Sequence, residues 1–239
     1  FLFVAVVLGV PLMLWLYEPA TCTDGTQNQG ETMVDKGGPC SLLDERSLIP
    51  HSVEWSRSFS VREGAYNAVA YVENPNEEGG VRAANYRFRL YDTDNVVITE
   101  KEGSTFIMPG EVTPVFEGPF NTGRRKVTRT YFEFSAPLVW ERMRGTSRDI
   151  RISNEQMSDM TVAPRITATV ENKAVADAKD VSFIAVVFDG TGNAVGASRT
   201  VLDGVPGGER RDITFTWPAP FERQPARVDI TVVTPPISS

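Results

Sequence analysis

Histidine occurs once in the 239 residues, at His51, and cysteine twice, at Cys22 and Cys40. So few ligands rule out a closed Cys/His zinc site, a Cys-x-x-Cys-His haem attachment and an iron–sulfur cluster. Positive charge is short too: 24 Lys and Arg stand against 31 Asp and Glu, a net charge of −7. Such a chain has no global attraction for nucleic acid, and no nucleic-acid partner is expected. No cysteine follows Cys40, which excludes the inter-sheet bridge of antibody domains. Helical periodicity is scarce after Tyr17; only residues 153–160 offer a weak helix of a turn or two. No Gly-x-Ser-x-Gly and no Ser-x-x-Lys set occurs. His51 has neither a cysteine nor a second histidine for a triad, so no catalysis is expected.

What is present begins with an apolar run. Residues 1–17, FLFVAVVLGVPLMLWLY, contain no charge. As a helix they reach about 25 Å, just short of a hydrocarbon core, and a few preceding apolar residues would complete a span. Pro11 is tolerable in such a helix, and Trp15 and Tyr17 stand where an aromatic belt belongs. A single-pass membrane anchor is therefore expected. Three readings compete with it. A signal peptide would want small residues where Glu18, Pro19 and Thr21 flank Ala20. A lipoprotein would want an aliphatic residue where Pro19 precedes Cys22. A mature type IV pilin would usually carry Glu at the position of Ala5. Residues 18–35 hold acids and no Lys or Arg, which puts the rest of the chain on the non-cytoplasmic side.

Residues 18–48 read as a linker. Asp24-Gly25, Asn28, Gly30 and Gly37-Gly38-Pro39 are turn formers, and apolar residues are too few for a core. Two cysteines bracketing such a segment outside the cytoplasm point to a disulfide; closing a loop of this length is worth about 3 kcal/mol in the chain-entropy view. Two free thiols are the alternative. Asp24, Asn28, Glu31 and Asp35 could offer oxygens to Ca²⁺, although their spacing is not that of an EF-hand and a solvated acidic linker explains them equally. The segment resembles a motif of secreted and surface proteins, Cys-x-Asp-Gly-x-x-Asn-x-x-Glu-Thr-x-x-Asp-Cys-Gly-Gly-x-Cys. Lys36 departs from it where the motif has cysteine.

From about residue 49 the chain repeats itself. Residues 70–74 (AYVEN) match 168–172 (ATVEN), 88–92 (FRLYD) match 185–189 (AVVFD), and Pro109-Gly110 matches Pro206-Gly207. Phe116 and Pro119-Phe120 match Phe215 and Pro220-Phe221, so the offsets run from 97 to 101. Each copy shows period-two alternation: Val53, Trp55, Phe59 and Val61, then Ala68, Ala70 and Val72, then Tyr86, Phe88 and Leu90 in the first. Thr128, Thr130, Phe132 and Phe134 form one face of a late strand. Ile166, Ala168 and Val170, and Val181, Phe183, Ala185 and Val187, follow in the second. Val228, Ile230 and Val232 close the chain. Alternation with frequent turn signals predicts antiparallel sandwiches. The expected architecture is all-β, two tandem Ig-like sandwiches over 49–137 and 138–239 after an N-terminal transmembrane helix. Trp55 and Trp140 are expected to pack at domain junctions.

Phe88-Arg89-Leu90-Tyr91-Asp92 fits Phe-x-Leu-Tyr-Asp, and the first copy resembles the FxLYD domains, small Ig-like sandwiches of prokaryotic surface and secreted proteins. The motif residues are Phe88, Leu90, Tyr91 and Asp92; the second copy keeps only an aromatic and the aspartate. The whole chain is similar to uncharacterised membrane-anchored proteins of small-genome bacteria. The resemblance implies a fold and a location, and no activity.

Two further features carry a chemical reading. Residues 190–196 (GTGNAVG) place the third glycine one position late for a dinucleotide loop, and no helix follows, so they predict a hairpin turn. Arg124, Arg125, Lys126 and Arg129 form the densest basic cluster, on a predicted hairpin over 121–130. It would meet an anionic envelope component or an acidic partner, or else protect an edge strand by charge. The sequence therefore predicts a protein for binding, spacing or assembly at the cell surface, by presentation of an edge strand or loop to a protein or envelope partner. The alternatives are a structural subunit of a surface appendage or secretion complex and a calcium-stabilised adhesion module.

Overall fold

The structure, a computed structural model, describes residues 9–12, 21–143 and 149–235. Most of the expected membrane helix over 1–17 lies outside the described residues. Residues 9–12 are helical, and no helix among the described residues is long and apolar enough to cross a membrane. The chain divides into two compact units. One holds the cysteine-bracketed segment through Leu48 with Trp140–Arg142; the other holds Ile49–Val139 and the residues from Met143 on.

The smaller unit has almost no regular structure. A short 3₁₀ turn, Glu45–Ser47, is capped by the Asp44 carboxylate, which accepts from the Arg46 N–H. The two-residue strand β7, Glu141–Arg142, runs beside residues 41–43: the Leu43 N–H donates to the Trp140 carbonyl at 2.9 Å and the Arg142 N–H to the Ser41 carbonyl at 2.6 Å. Cys22 and Cys40 are joined in a disulfide, as the bracketing of the linker predicts.

The larger unit is all β. The first copy contributes β1 (Ser52–Arg62), β2 (Ala65–Glu73), β3 (Gly79–Tyr91), β4 (Val97–Ile107), β5 (Val112–Asn121) and β6 (Arg129–Phe134). The second contributes β8 (Ile150–Ser158), β9 (Arg165–Asn172), β10 (Ala178–Asp189), β11 (Ala194–Val205), β12 (Arg210–Thr216) and β13 (Pro225–Val233). The sheet orders β1-β2-β5 and β4-β3-β6 recur as β8-β9-β12 and β11-β10-β13, all antiparallel. The repeat read from sequence is thus a repeat of topology. Residues 153–160, the weak helix candidate, instead form most of β8. Pairing with β9 overrides a pattern worth only a turn or two, and a register shift between Ser153 and Gln156 absorbs the irregularity, with Asn154 at φ 55°.

Each pair of sheets closes on its own core. In the second copy the inward residues Ile166, Ala168 and Val170 of β9 meet Phe183, Ala185 and Val187 of β10. In the first, Phe88 of β3 lies edge-on to Phe120 of β5 and beside Phe132 of β6 at 4.9 Å. A third cluster joins the two sandwiches. Val69 of β2, Phe116 of β5 and Phe59 of β1 pack against Ile184, Val186 and Phe188 of β10 and Ala197 of β11, with Trp55 and Tyr71 stacked at 4.4 Å beside them. Sheets β1-β2-β5 and β11-β10-β13 are therefore covered on both faces. Trp55 does pack at the junction between the copies; Trp140 lies in the smaller unit and is also buried.

Register corrects one repeat match. Phe116 pairs with Val69, which faces the other sandwich, whereas Phe215 pairs with Ile166, which faces its own core. Val115 opposite Ala70 corresponds to Ile213 opposite Ala168, so the counterpart of Phe116 is Thr214. A slip of one residue exchanges the two faces of a strand.

Candidate functional site

The FRLYD residues are structural. Phe88 and Leu90 point into the first core with no exposure. Asp92 begins the β3–β4 turn, where its Oδ1 accepts from the N–H groups of Asp94 and Val96, both at 3.0 Å. Its Oδ2 binds the Arg125 guanidinium, and the Arg129 guanidinium lies over the Tyr91 ring, 4.5 Å from its centre. The second copy repeats every part of this. Asp189 Oδ1 accepts from the N–H groups of Thr191 and Asn193 at 2.9 Å, Arg223 Nη1 donates to Asp189 Oδ2 at 3.1 Å, and Arg227 lies over the Phe188 ring at 4.3 Å. Residues 190–193 form the hairpin turn between β10 and β11 that the composition of 190–196 predicts, and 194–196 open β11.

Both aspartates are held below the usual carboxylate range. For Asp92 the main cause is Arg125, followed by the Val96 N–H. For Asp189 it is the Thr191 hydroxyl, followed by the Asn193 N–H and helped by Arg223. Arg223 and Arg227 escaped the sequence reading. Their signal was available, because they stand 98 residues after Arg125 and Arg129.

The predicted hairpin over 121–130 is a different object. β5 and β6 belong to different sheets, so the segment crosses from one sheet to the other. The Thr122 N–H donates to the Gly64 carbonyl and the Thr128 N–H to the Tyr91 carbonyl. This splits the basic cluster: Arg125 and Arg129 are spent on the β3–β4 turn, while Arg124 and Lys126 stay exposed with no ion pair among the described residues.

The four acidic-loop residues are brought together. The Asp24 carboxylate accepts from the Thr21 hydroxyl, from the Thr26 N–H at 2.7 Å and from the Asn28 amide at 2.9 Å, which together hold it below its ordinary pKa, Thr21 first. Asp35 accepts from the Gly25 N–H at 3.1 Å, and buried Glu31 from the Asp35 N–H at 3.0 Å. Gly38 makes the close approach that this loop needs: at φ 53°, a Cβ there would sit 2.2 Å from the Gly30 carbonyl oxygen. A Ca²⁺ ion would have to share the oxygens of Asp24 and Asp35 and Glu31 Oε2 with donors that already occupy them, while Asn28 Oδ1 is buried with no hydrogen-bond partner among the described residues. Glu31 lies close to both cysteine sulfurs, but sulfurs joined in a disulfide offer no thiolate to a metal.

The larger unit also contains a cleft of about 600 Å³ at the margin of the seam between the two sandwiches. Arg57 and Arg62 of β1, Lys126 of the β5–β6 crossover and Arg223 of the β12–β13 connection line it, with Trp217 and Phe221. Trp217 and Phe221 meet edge-to-face at 5.1 Å. Gly196 of β11 lets them do so, since a Cβ there would lie 2.4 Å from Phe221. Apart from Lys126, none of these residues was read from the sequence as part of a site, because only the packing of one copy on the other assembles them.

No known family model and no curated protein matches the chain. Among solved structures it is similar to red sea bream transglutaminase (10% identity, 79% of this chain and 32% of that one, TM-score 0.29). It is also similar to a Bacteroides uniformis β-glucuronidase (14%, 74% and 22%, TM-score 0.21). A third is the C-terminal globular domain of a Pyrococcus abyssi oligosaccharyltransferase (11%, 77% and 47%, TM-score 0.22). The chain thus spans about a third of the transglutaminase, and likenesses this distant carry no argument about function.

Proposed function

We propose that this chain is a membrane-anchored extracytoplasmic protein that binds, spaces or assembles components at the cell surface, without catalysis. Its β unit is read as two tandem Ig-like sandwiches, the first of FxLYD type. One observation carries the reading: the two sandwiches bury a shared apolar seam, Val69 and Phe116 against Ile184 and Val186, instead of hanging on a flexible joint. A rigid double module suits a spacer or a platform better than a mobile string of domains. The Cys22–Cys40 disulfide supports an oxidising compartment. The uncharged run over 1–17 supports the anchor.

The test is fractionation and crosslinking on intact cells. The chain should pellet with membranes, resist carbonate extraction and be cut by protease added outside. Recovery in the soluble cytoplasm with free thiols would overturn the reading. One stoichiometric crosslinked partner makes the protein a subunit of a defined assembly. Ladders of the chain with itself instead favour an appendage subunit, for which β8, an edge strand exposed along most of its length, is the available pairing surface.

A further inference from the structure

The cleft at the seam has the composition of a ligand site that needs both sandwiches. We propose that it binds an acidic saccharide, a sugar polymer carrying carboxylates on its rings. The proposal rests on the surface-binding reading above and names the chemistry bound. A volume of about 600 Å³ falls within the range of small-ligand pockets.

Charge gives the sign of the ligand. Arg57, Arg62 and Lys126 converge here with Arg223, whose charge is paired with Asp189, from three separate segments and against the two acids Glu63 and Glu222, in a chain of net charge −7. Two of the four are pinned by bonds that use one donor each: Arg57 Nη1 to the Ala194 carbonyl at 2.9 Å and Arg223 Nη1 to Asp189. Arg62 and Lys126 make no ion pair among the described residues.

The aromatic wall narrows the class. Trp217 is only 6% exposed, and its indole N–H is buried with no acceptor among the described residues. Half-buried Tyr66 and Phe221 add ring surface beside it. An acidic sugar ring combines a flat C–H face for these rings, a carboxylate for the cations and hydroxyl donors for Glu63 and Glu222. Polyphosphate offers the two acids no donor. An acidic peptide has flexible side chains and pays more ordering entropy for the same contacts.

The experiment titrates the full chain in mild detergent with oligogalacturonate, followed by calorimetry and tryptophan fluorescence. The comparison probes are its methyl ester, which keeps the rings and loses the charge, and polyglutamate. Saturable binding is expected, weaker by about tenfold or more for the ester and for polyglutamate. Lys126→Ala and Arg62→Ala, both at exposed positions, should each weaken it about tenfold, and Phe221→Ala, which removes half-buried ring surface from the wall, should weaken it while circular dichroism stays unchanged. Arg124→Ala, two residues from Lys126 and outside the cleft, should leave it unchanged. Three outcomes overturn the proposal: no binding, polyglutamate bound as tightly, or Arg124→Ala as damaging as Lys126→Ala. If the protein fractionates as cytoplasmic yet still binds oligogalacturonate, the anchoring fails and the cleft stands. The reverse pattern sinks the cleft alone.

Discussion

The two sandwiches carry the same strand plan, and they differ where one touches the other. In β3 the inward residues are Tyr86, Phe88 and Leu90, and the outward ones are Arg87, Arg89 and Tyr91. The outward arginines form a ladder of exposed pairs with Glu100, Glu102 and Glu133. In β10, at the same register, Phe183, Ala185 and Val187 point inward, while Ile184, Val186 and Phe188 point outward into the seam. β2 and β9 show the reverse. The outward Val69 and Tyr71 of β2 enter the seam, where β9 has Thr167 and Thr169. Divergence between the copies is thus not drift spread evenly over the surface. It marks the one face that each copy covers with the other.

The largest expected effect breaks this comparison directly. Val186→Asp places a charge in the seam with nothing to pair it and should cost about 4 kcal/mol or more in urea unfolding. Its register counterpart Arg89→Asp removes exposed ion pairs and should cost about 1 kcal/mol or less. Similar costs at both positions would mean that the two sandwiches do not share a core in solution.

How much of this was legible in the sequence follows from the same residues. Strands with one solvated face alternate cleanly, so β3 and β9 were readable, and the near-constant offsets revealed the repeat. Strands covered on both faces read as continuous apolar runs, as Phe183-Ile184-Ala185-Val186-Val187-Phe188 does. That run also contained the seam, because its outward residues needed a cover that one six-stranded sandwich could not supply. The disulfide was legible because only two cysteines exist. The β5–β6 crossover was not, since a turn signal at Asn121-Thr122-Gly123 looks the same whether the chain returns to the same sheet or moves to the facing one. The cleft was illegible for a stronger reason: its cations stand as far apart in sequence as Arg57 and Arg223, and no local pattern joins them.

A smaller effect sharpens the likeness of the copies. Asn74 and Asn172 each donate Nδ2 to two carbonyls, Gly79 and Met108 in the first copy and Ala176 and Val205 in the second. Each also accepts an N–H two residues on. Replacing either by Ala strands those groups and should cost about 1–3 kcal/mol. Asn74→Ala should cost the more of the two, because Asn74 also holds the Asn76 side chain, which in turn accepts from the Ile49 N–H and donates to the Ile49 carbonyl. Equal urea midpoints for the two variants would remove that asymmetry.

The turn aspartates should differ least between copies, and their effect is one of pH. Asp92 and Asp189 titrate below their unfolded values, so the stability they supply is complete above about pH 4 and is lost as pH falls from there through the folded pKa. Asp92→Asn and Asp189→Asn should each flatten the acid limb of a stability profile and leave the midpoint's pH dependence above about pH 5 unchanged. A steeper loss above that pH would point to a different titrating group.

The smallest expected change is that produced by EDTA. Asp24, Asp35 and Glu31 Oε2 accept from N–H and hydroxyl donors of their own loop, and the disulfide closes that loop covalently. Chelation should therefore leave both the melting temperature and the protease resistance of the loop unchanged, whereas dithiothreitol should expose the loop to protease. A marked fall in melting temperature with EDTA, reversed by added Ca²⁺ and absent in Asp24→Asn, would show that a cation competes successfully with those donors. The loop would then be held by metal as well as by sulfur, and the calcium-stabilised adhesion module would displace the metal-free reading.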